Sequence, residues 1–239
     1  MSVHLLGGGA LEPTDAPLYA PFVAEATALA HANGRKTPRI AVVSIHPGGP
    51  ERAEVLVRVL SAAGPIEAQV TSSLGGEALP LAAVTNVDGI VIGGGIVEDV
   101  RAGLAPLFDE LRGKVGEGVP YLGVSAGAMV AARHALGGGT RIGGRPVCPE
   151  DPDDPGPELE VQDGIGLIEP SIDVHVAQRG TLSRLAAAVE SGLIGGALGI
   201  DERTLLVIDD GRQSVSGSGS VWQVQQGDGG ALISTTRAR

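Results

Sequence analysis

The pentapeptide G-V-S-A-G at residues 123–127 constrains the fold more than any other stretch of this sequence. The short apolar segment before it, residues 118–123, predicts a buried strand. Residues 126–135 contain mostly good helix formers and no proline, and they predict a helix. A G-x-S-x-G pattern at a strand-to-helix junction is typical of a nucleophile elbow, a turn so sharp that only small residues fit beside the serine. The alternative is a glycine-rich turn in which Ser125 only caps the helix.

Strands and helices are predicted to alternate along the chain. Before the pentapeptide, apolar segments predict strands at residues 3–6, 39–45, 66–71 and 87–92. Helical patterns separate or follow them at residues 19–33, 51–63, 79–84 and 104–115. Alternation of this kind predicts a mostly parallel sheet with helices on both faces. The functional site is then expected beyond the carboxyl ends of the strands.

The second half of the chain is predicted to be less regular. Residues 150–160, E-D-P-D-D-P-G-P-E-L-E, indicate a solvated acidic loop near the active-site mouth, since the prolines break the spacing that a calcium loop needs. After a strand end at residues 174–176 and a helix at 181–191, short strands are predicted at 197–200, 204–208, 214–219 and 221–224. The tail, residues 234–239, is predicted to fray. Because no linker or repeat divides the chain, we expect one domain over residues 1–239.

Composition excludes several classes of function. The net charge of −11 argues against nucleic acid or an anionic membrane as a partner. Cys148 is the single cysteine, so no intrachain disulfide forms and nothing indicates an oxidising compartment. The sequence shows neither a signal peptide nor an apolar run of about 18 residues, which predicts a cytoplasmic protein that does not span a membrane. No His/Cys cluster suggests a metal, and no cofactor is expected.

A serine nucleophile needs a general base, and the base needs an acid that orients it. His175 is the best-placed base, because it follows an apolar segment and precedes a helix that carries arginines. The other histidines are placed less well: His4 in the first strand, His46 after the second, and His31 and His134 near helix ends. Candidates for the acid are Asp173, the acidic loop, and Asp201 with Glu202. The residues alone leave this choice open.

The nucleophile segment, residues 123–128, resembles that of the dipeptidase E and cyanophycinase family of serine peptidases. The resemblance spans about residues 87–224 and is carried by residues 164–168, 172–180, 183–185, 199–202, 204 and 215–219. The chain order serine, histidine, acid separates it from ordinary α/β-hydrolases, in which the acid precedes the histidine. The cyanophycinases are the more similar branch. The resemblance implies a compact three-layer α/β/α sandwich with a mostly parallel sheet, similar to class I glutamine amidotransferases.

The resemblance also implies three kinds of site residue. They are Ser125 as nucleophile, His175 as base and Glu202 as orienting acid; the backbone amides of Gly94, Gly95 and Ala126 as oxyanion donors; and Arg179 and Arg184 as substrate-binding side chains. Two positions depart from the family pattern. Ile96 stands where the family has a glutamine that would touch the substrate, and Thr181 stands where another arginine is expected. The catalytic backbone therefore matches the family while the substrate pocket is altered, which argues against cyanophycin itself as the substrate.

These residues predict a serine hydrolase that acts by acyl transfer to water. We expect a peptidase that cleaves short peptides or isopeptides with an acidic, aspartyl residue next to the scissile bond, so its partner is a small peptide substrate. Two other classes are compatible with the same residues: an esterase or amidase of small molecules, and a non-catalytic binding protein on the same scaffold. The sequence leaves the oligomeric state open, a homodimer included.

Overall fold

A computed structural model describes residues 2–150 and 156–238. The first half contains β1 (Ser2–Leu6), α1 (Ala16–Ala32), β2 (Arg39–Ile45), α2 (Gly49–Ala63), β3 (Glu67–Ser73), β4 (Gly89–Ile92), α3 (Val97–Leu104), α4 (Phe108–Gly116), β5 (Tyr121–Val124) and α5 (Ala126–Met129). The second half contains β6 (His134–Leu136), β7 (Arg141–Ile142), β8 (Arg145–Pro146), β9 (Val161–Asp163), β10 (Ser171–Val174), α6 (Val176–Arg179), α7 (Leu182–Glu190), β11 (Gly196–Ile200), β12 (Thr204–Asp209), β13 (Arg212–Gly217), β14 (Ser220–Gly227) and β15 (Gly230–Arg237). Single 3-10 turns lie at Pro13–Asp15, Leu81–Ala83 and Ala105–Leu107.

The central layer is a seven-stranded sheet in the order β13-β12-β1-β5-β4-β2-β3. The five strands from β1 to β3 in this order run parallel, and β12 and β13 form an antiparallel edge. A second, four-stranded sheet has the order β10-β11-β14-β15. The carboxyl ends of β1, β5, β4 and β2 therefore meet at one edge of the central sheet, which is where a site was expected.

Each face of the central sheet is covered by its own hydrophobic core. Phe22 of α1 and Leu56 of α2 pack with Val42 of β2 on one face, whereas Leu104 of α3 packs with Val43 on the other. Successive residues of β2 are thus buried on opposite faces, which explains its uninterrupted apolar sequence. The predicted three-layer α/β/α sandwich with a mostly parallel sheet is confirmed.

The predicted helix over residues 126–135 is wrong beyond its first turn. The helix ends at Met129, and His134 lies in β6, not near the end of a helix. The chain leaves the helix because residues 130–133 hydrogen-bond to a distant segment: Ile165 donates to the carbonyl of Val130, and Arg133 donates to the carbonyl of Ile168. Tertiary hydrogen bonds here override a favourable helix propensity.

Other predicted elements also need correction, and the short helix predicted over residues 79–84 is a single 3-10 turn at Leu81–Ala83. The single helix predicted over residues 104–115 begins too early, because α3 ends at Leu104, a 3-10 turn follows, and α4 begins only at Phe108. The predicted fraying of the tail is wrong for residues 234–237, because β15 pairs with β14 from Gly230 to Arg237. The turn between these strands contains Asp228-Gly229, a dipeptide that favours hairpins. Residues 151–155 of the predicted acidic loop lie outside the described residues.

Within residues 2–150 and 156–238, no helix has both the length and the apolar character needed to cross a membrane.

Candidate active site

Ser125 lies on a sharp turn between β5 and α5. Its φ of 53° and ψ of −116° form a conformation that side-chain-bearing residues rarely adopt and that concentrates at functional sites. A Cβ atom on Gly123 would lie 2.4 Å from the carbonyl oxygen of Gly127, and one on Gly127 would lie 2.1 Å from that of Ile92. Both glycines of the pattern are therefore required by close backbone approaches. The Ser125 amide donates to the carbonyl of Leu6 at 2.9 Å, which ties the turn to β1.

The structure brings Ser125, His175 and Glu202 into one hydrogen-bonded chain. The Ser125 hydroxyl oxygen lies 2.9 Å from Nε2 of His175, and Nδ1 of the same ring lies 2.7 Å from Oε1 of Glu202. His175 follows β10 and Glu202 follows β11, and these strands are parallel neighbours, so their following residues emerge side by side. In this arrangement the serine proton can pass to Nε2 while the carboxylate holds the Nδ1 proton.

Three consecutive glycines after β1 contact the hydrogen-bonded series of Ser125, His175 and Glu202, a role that the sequence pattern did not indicate. Gly7 accepts a hydrogen bond from the His175 amide at 3.3 Å. A Cβ atom on Gly8 would lie 2.2 Å from Cε1 of His175, and one on Gly9 would lie 2.6 Å from Oε2 of Glu202. The imidazole and the carboxylate thus pack directly on a glycine backbone. The sequence signal for this role is the run of three glycines at the carboxyl end of a predicted strand, where the site of a parallel sheet is expected.

Two other acids considered for the orienting role, Asp173 and Asp201, face elsewhere. Asp173 is fully buried and binds Arg184. Asp201 accepts hydrogen bonds from the Trp222 indole at 2.9 Å and from the backbone amides of Ala177 and Ser220. Its carboxylate therefore joins α6 to β14 and does not meet the imidazole.

Two adjoining cavities open beside Ser125. The larger has a volume of about 640 Å³ and the smaller about 80 Å³. Ser125, His175, Gly95, Ile96 and Arg179 line both of them. The serine hydroxyl therefore lies at the boundary, where a substrate bond could cross from one cavity to the other.

The predicted oxyanion donors lie around the serine. Gly94 and Gly95 follow β4, the strand next to β5, and a Cβ atom on Gly94 would lie 3.1 Å from Cβ of Ser125. Ala126 begins α5 directly after the serine and lines the smaller cavity. Ile96 presents an apolar side chain to both cavities at the position of the family's glutamine.

The surroundings of His175 favour the neutral form of its imidazole. Burial lowers its pKa below the ordinary value, and the positive charge of Arg179 lowers it further, while the hydrogen bond and charge of Glu202 act in the opposite direction. A neutral imidazole at neutral pH is the form that a general base requires. The Arg179 amide donates to the carbonyl of His175 at 2.8 Å, so the short helix α6 returns the arginine to the side of the ring.

Arg184 does not have the exposure expected of a substrate-binding side chain. It is 3% exposed, and two of its N–H groups donate to the Asp173 carboxylate at 2.8 and 3.1 Å. A third donates to the carbonyl of Gly139 at 3.2 Å. Although an edge of Arg184 lines the smaller cavity, its charge is neutralised inside the protein. The expectation that Arg184 meets a substrate carboxylate therefore loses its structural basis.

His46 and Arg52 also line the larger cavity, although the sequence pattern assigned them no role. His46 follows β2 and Arg52 lies near the start of α2, so both approach the serine from the strand beyond β4.

Within residues 2–150 and 156–238, no group of three or more His, Cys, Asp or Glu side chains is placed to hold a metal ion.

Comparison with known proteins gives consistent results. The model of peptidase family S51 matches residues 51–215. No curated protein sequence matches the chain. Among solved structures, a peptidase from an acI-B1 Actinobacterium superposes with a TM-score of 0.71 at 19% identity, over 99% of this chain and 94% of that one. A peptidase E-type protein from Listeria monocytogenes EGD-e superposes with a TM-score of 0.54 at 13% identity, over 90% of this chain and 98% of that one. At these identities, the structural likeness concerns the fold.

Proposed function

Because the chain belongs to peptidase family S51, the family of dipeptidase E and the cyanophycinases, and is a serine peptidase, we propose that Ser125, His175 and Glu202 perform the hydrolysis. The observation that carries this assignment is the pair of hydrogen bonds, 2.9 and 2.7 Å long, that links the three side chains.

In the proposed mechanism, Nε2 of His175 accepts the Ser125 proton as the hydroxyl oxygen attacks the scissile carbonyl. Glu202 holds the Nδ1 proton and stabilises the imidazolium that forms. The imidazolium then gives its proton to the leaving amine, and a water molecule repeats the attack on the acyl-enzyme. The amides of Gly94 or Gly95 and of Ala126 would bind the developing oxyanion, each contributing roughly 3 kcal/mol.

We propose that Arg179 selects an acidic residue next to the scissile bond. Arg179 lines both cavities beside Ser125, and the smaller cavity, at about 80 Å³, suits a short side chain. A guanidinium offers a planar fork to a carboxylate. The net charge of −11 opposes an acidic substrate at long range, but salt screens that repulsion beyond ~8 Å, so the close arginine should dominate. The substrate class is then short peptides or isopeptides with an aspartyl residue at that position.

Arg184 takes a different role in this proposal. Asp173 lies two residues before His175, and its carboxylate both pairs with Arg184 and accepts the Val174 amide at 2.9 Å. We assign the pair to positioning the segment that carries the base.

Matched dipeptides test the specificity. Asp-Leu and Asn-Leu differ by one charge at nearly constant shape, so the wild-type enzyme should prefer Asp-Leu by roughly 10- to 100-fold in kcat/KM, the value of a charge-assisted hydrogen bond. Arg179→Gln should remove most of this preference. Arg133→Gln is the control, since Arg133 is exposed and pairs with Glu169 away from both cavities. Equal losses on both dipeptides in the Arg179 variant would show that Arg179 supports the fold and does not select the substrate.

A further inference from the structure

The charged side chains that line the larger cavity are basic, although the protein as a whole is acidic. The chain has 28 acidic and 17 basic residues, yet the formally charged side chains among the described residues of this cavity's wall are two arginines, Arg52 and Arg179. Glu51 and Glu54 flank Arg52 on α2, but neither carboxylate lines the cavity. A wall of this composition favours an anionic ligand, and it does so at two separate places.

His46 and Arg52 form one of these two places. A Cβ atom on Gly48 would lie 3.0 Å from both the His46 Nδ1 and the Arg52 Cγ, so the two side chains are neighbours across this glycine. The Gly48 amide donates to His46 Nδ1 at 2.8 Å, which assigns the ring proton to Nε2. Burial and the charge of Arg52 lower the pKa of His46 and keep the ring neutral at neutral pH. The pair thus offers a neutral N–H donor beside a guanidinium.

We propose that His46 and Arg52 bind the free C-terminal carboxylate of a short peptide whose scissile bond lies at Ser125. This inference rests on the proposed function and extends it to the leaving-group side of the substrate. Arg179 and the smaller cavity hold the acidic side chain next to the scissile bond. The rest of the peptide then lies in the larger cavity, whose volume of about 640 Å³ holds only a short segment.

Two bound carboxylates would make the site selective for the length of the peptide. A peptide is held at both ends only when its terminal carboxylate reaches Arg52 while its acidic side chain reaches Arg179. A blocked or longer C-terminus loses the charge-assisted contacts at Arg52. Because Arg52 is exposed to solvent, we expect this end to contribute about tenfold in affinity, the lower end of the range for a hydrogen bond to a charged group.

A free acid and its amide provide the test. Asp-Ala and its C-terminal amide are compared as substrates of the wild type, Arg52→Gln and Arg58→Gln. Arg58 is the matched control, because it is an exposed arginine on the same helix that lines a separate groove with Val57 and Val70. Arg52→Gln should raise KM about tenfold for the free acid and leave KM for the amide unchanged, whereas Arg58→Gln should alter neither.

Calorimetric titration in the Ser125→Ala background separates this inference from the proposed function. Without turnover, the dissociation constant of the free acid should be about tenfold lower than that of the amide, and adding Arg52→Gln should abolish the difference. If the wild type cleaves neither peptide, the proposed function fails, and this binding comparison still decides the inference. Equal binding of acid and amide, or equal weakening of both by Arg52→Gln, would overturn it.

Discussion

Gly8→Ala should show how closely the catalytic geometry depends on the glycine run after β1. The added Cβ would lie 2.2 Å from Cε1 and 2.8 Å from Nε2 of His175, against an ordinary contact of at least 3.4 Å. The ring must therefore shift by about 1 Å, and the bond of 2.9 Å between Nε2 and the Ser125 hydroxyl would be broken or misaligned. Because a misplacement of ~1 Å can reduce a rate by ~100-fold, kcat/KM should fall by about that factor.

The same substitution also has a cost to folding that must be separated from the effect on the site. Gly8 has a φ of +93°, and a side chain in the left-handed region costs roughly 1–2 kcal/mol. Gly118 is the matched control, with a φ of +102° and no atom within 4 Å of the added Cβ. Both alanine variants should lose unfolding free energy in urea titrations, and Gly8→Ala should lose more, because its Cβ also meets the His175 ring.

Only Gly8→Ala should lose activity when kcat/KM is measured well below both unfolding midpoints. If its kcat/KM stays within threefold of that of Gly118→Ala, the imidazole is not held by the glycine backbone, and the described geometry of the site is wrong.

Three further changes test individual contacts. Glu202→Gln removes the charge that stabilises the imidazolium, so steady-state kcat should fall by about 10²- to 10⁴-fold with little change in KM, and a loss below fivefold would exclude Glu202 as the orienting acid. The acid limb of kcat/KM on a neutral ester should lie below pH 6.5, because activity needs neutral His175 and the pKa of His175 is lowered. Arg179→Gln removes one cause of the lowering, so the acid limb of this variant should lie at higher pH than that of the wild type. An acid limb that stays in place or moves to lower pH would contradict this account. Arg184→Met leaves the buried Asp173 carboxylate unpaired and should reduce the unfolding free energy by roughly 3–5 kcal/mol in urea titrations, whereas no reduction would show that the buried pair does not stabilise the fold.

Local sequence patterns predicted the parts of this protein that depend on local geometry. Gly123 and Gly127 bracket Ser125 because a sharp strand-to-helix turn forbids a Cβ there, and that constraint is visible in five letters of sequence. The apolar run of β2 predicted a strand buried on both faces, because such strands have a continuous apolar sequence. The choice of Glu202 over Asp173 came from the family resemblance, because the residues alone did not decide between them.

Features that depend on distant contacts were missed or misjudged. Gly8 touches His175 although the two residues follow strands of different sheets, β1 and β10, and neither segment alone encodes that proximity. Arg184 was expected to face the substrate, but the buried carboxylate of Asp173, eleven positions away, draws it into the interior. Residues 130–133 favour a helix by propensity and instead hydrogen-bond to residues 164–168.

The central claim, that Ser125 is the nucleophile, is tested most directly by covalent labelling. The folded protein is treated with a fluorophosphonate probe, digested, and mapped by mass spectrometry to locate the adduct. We predict one adduct, on Ser125, which is absent from Ser125→Ala while the far-UV circular dichroism of that variant matches the wild type. An adduct on another residue, or undiminished labelling of Ser125→Ala, would contradict the assignment.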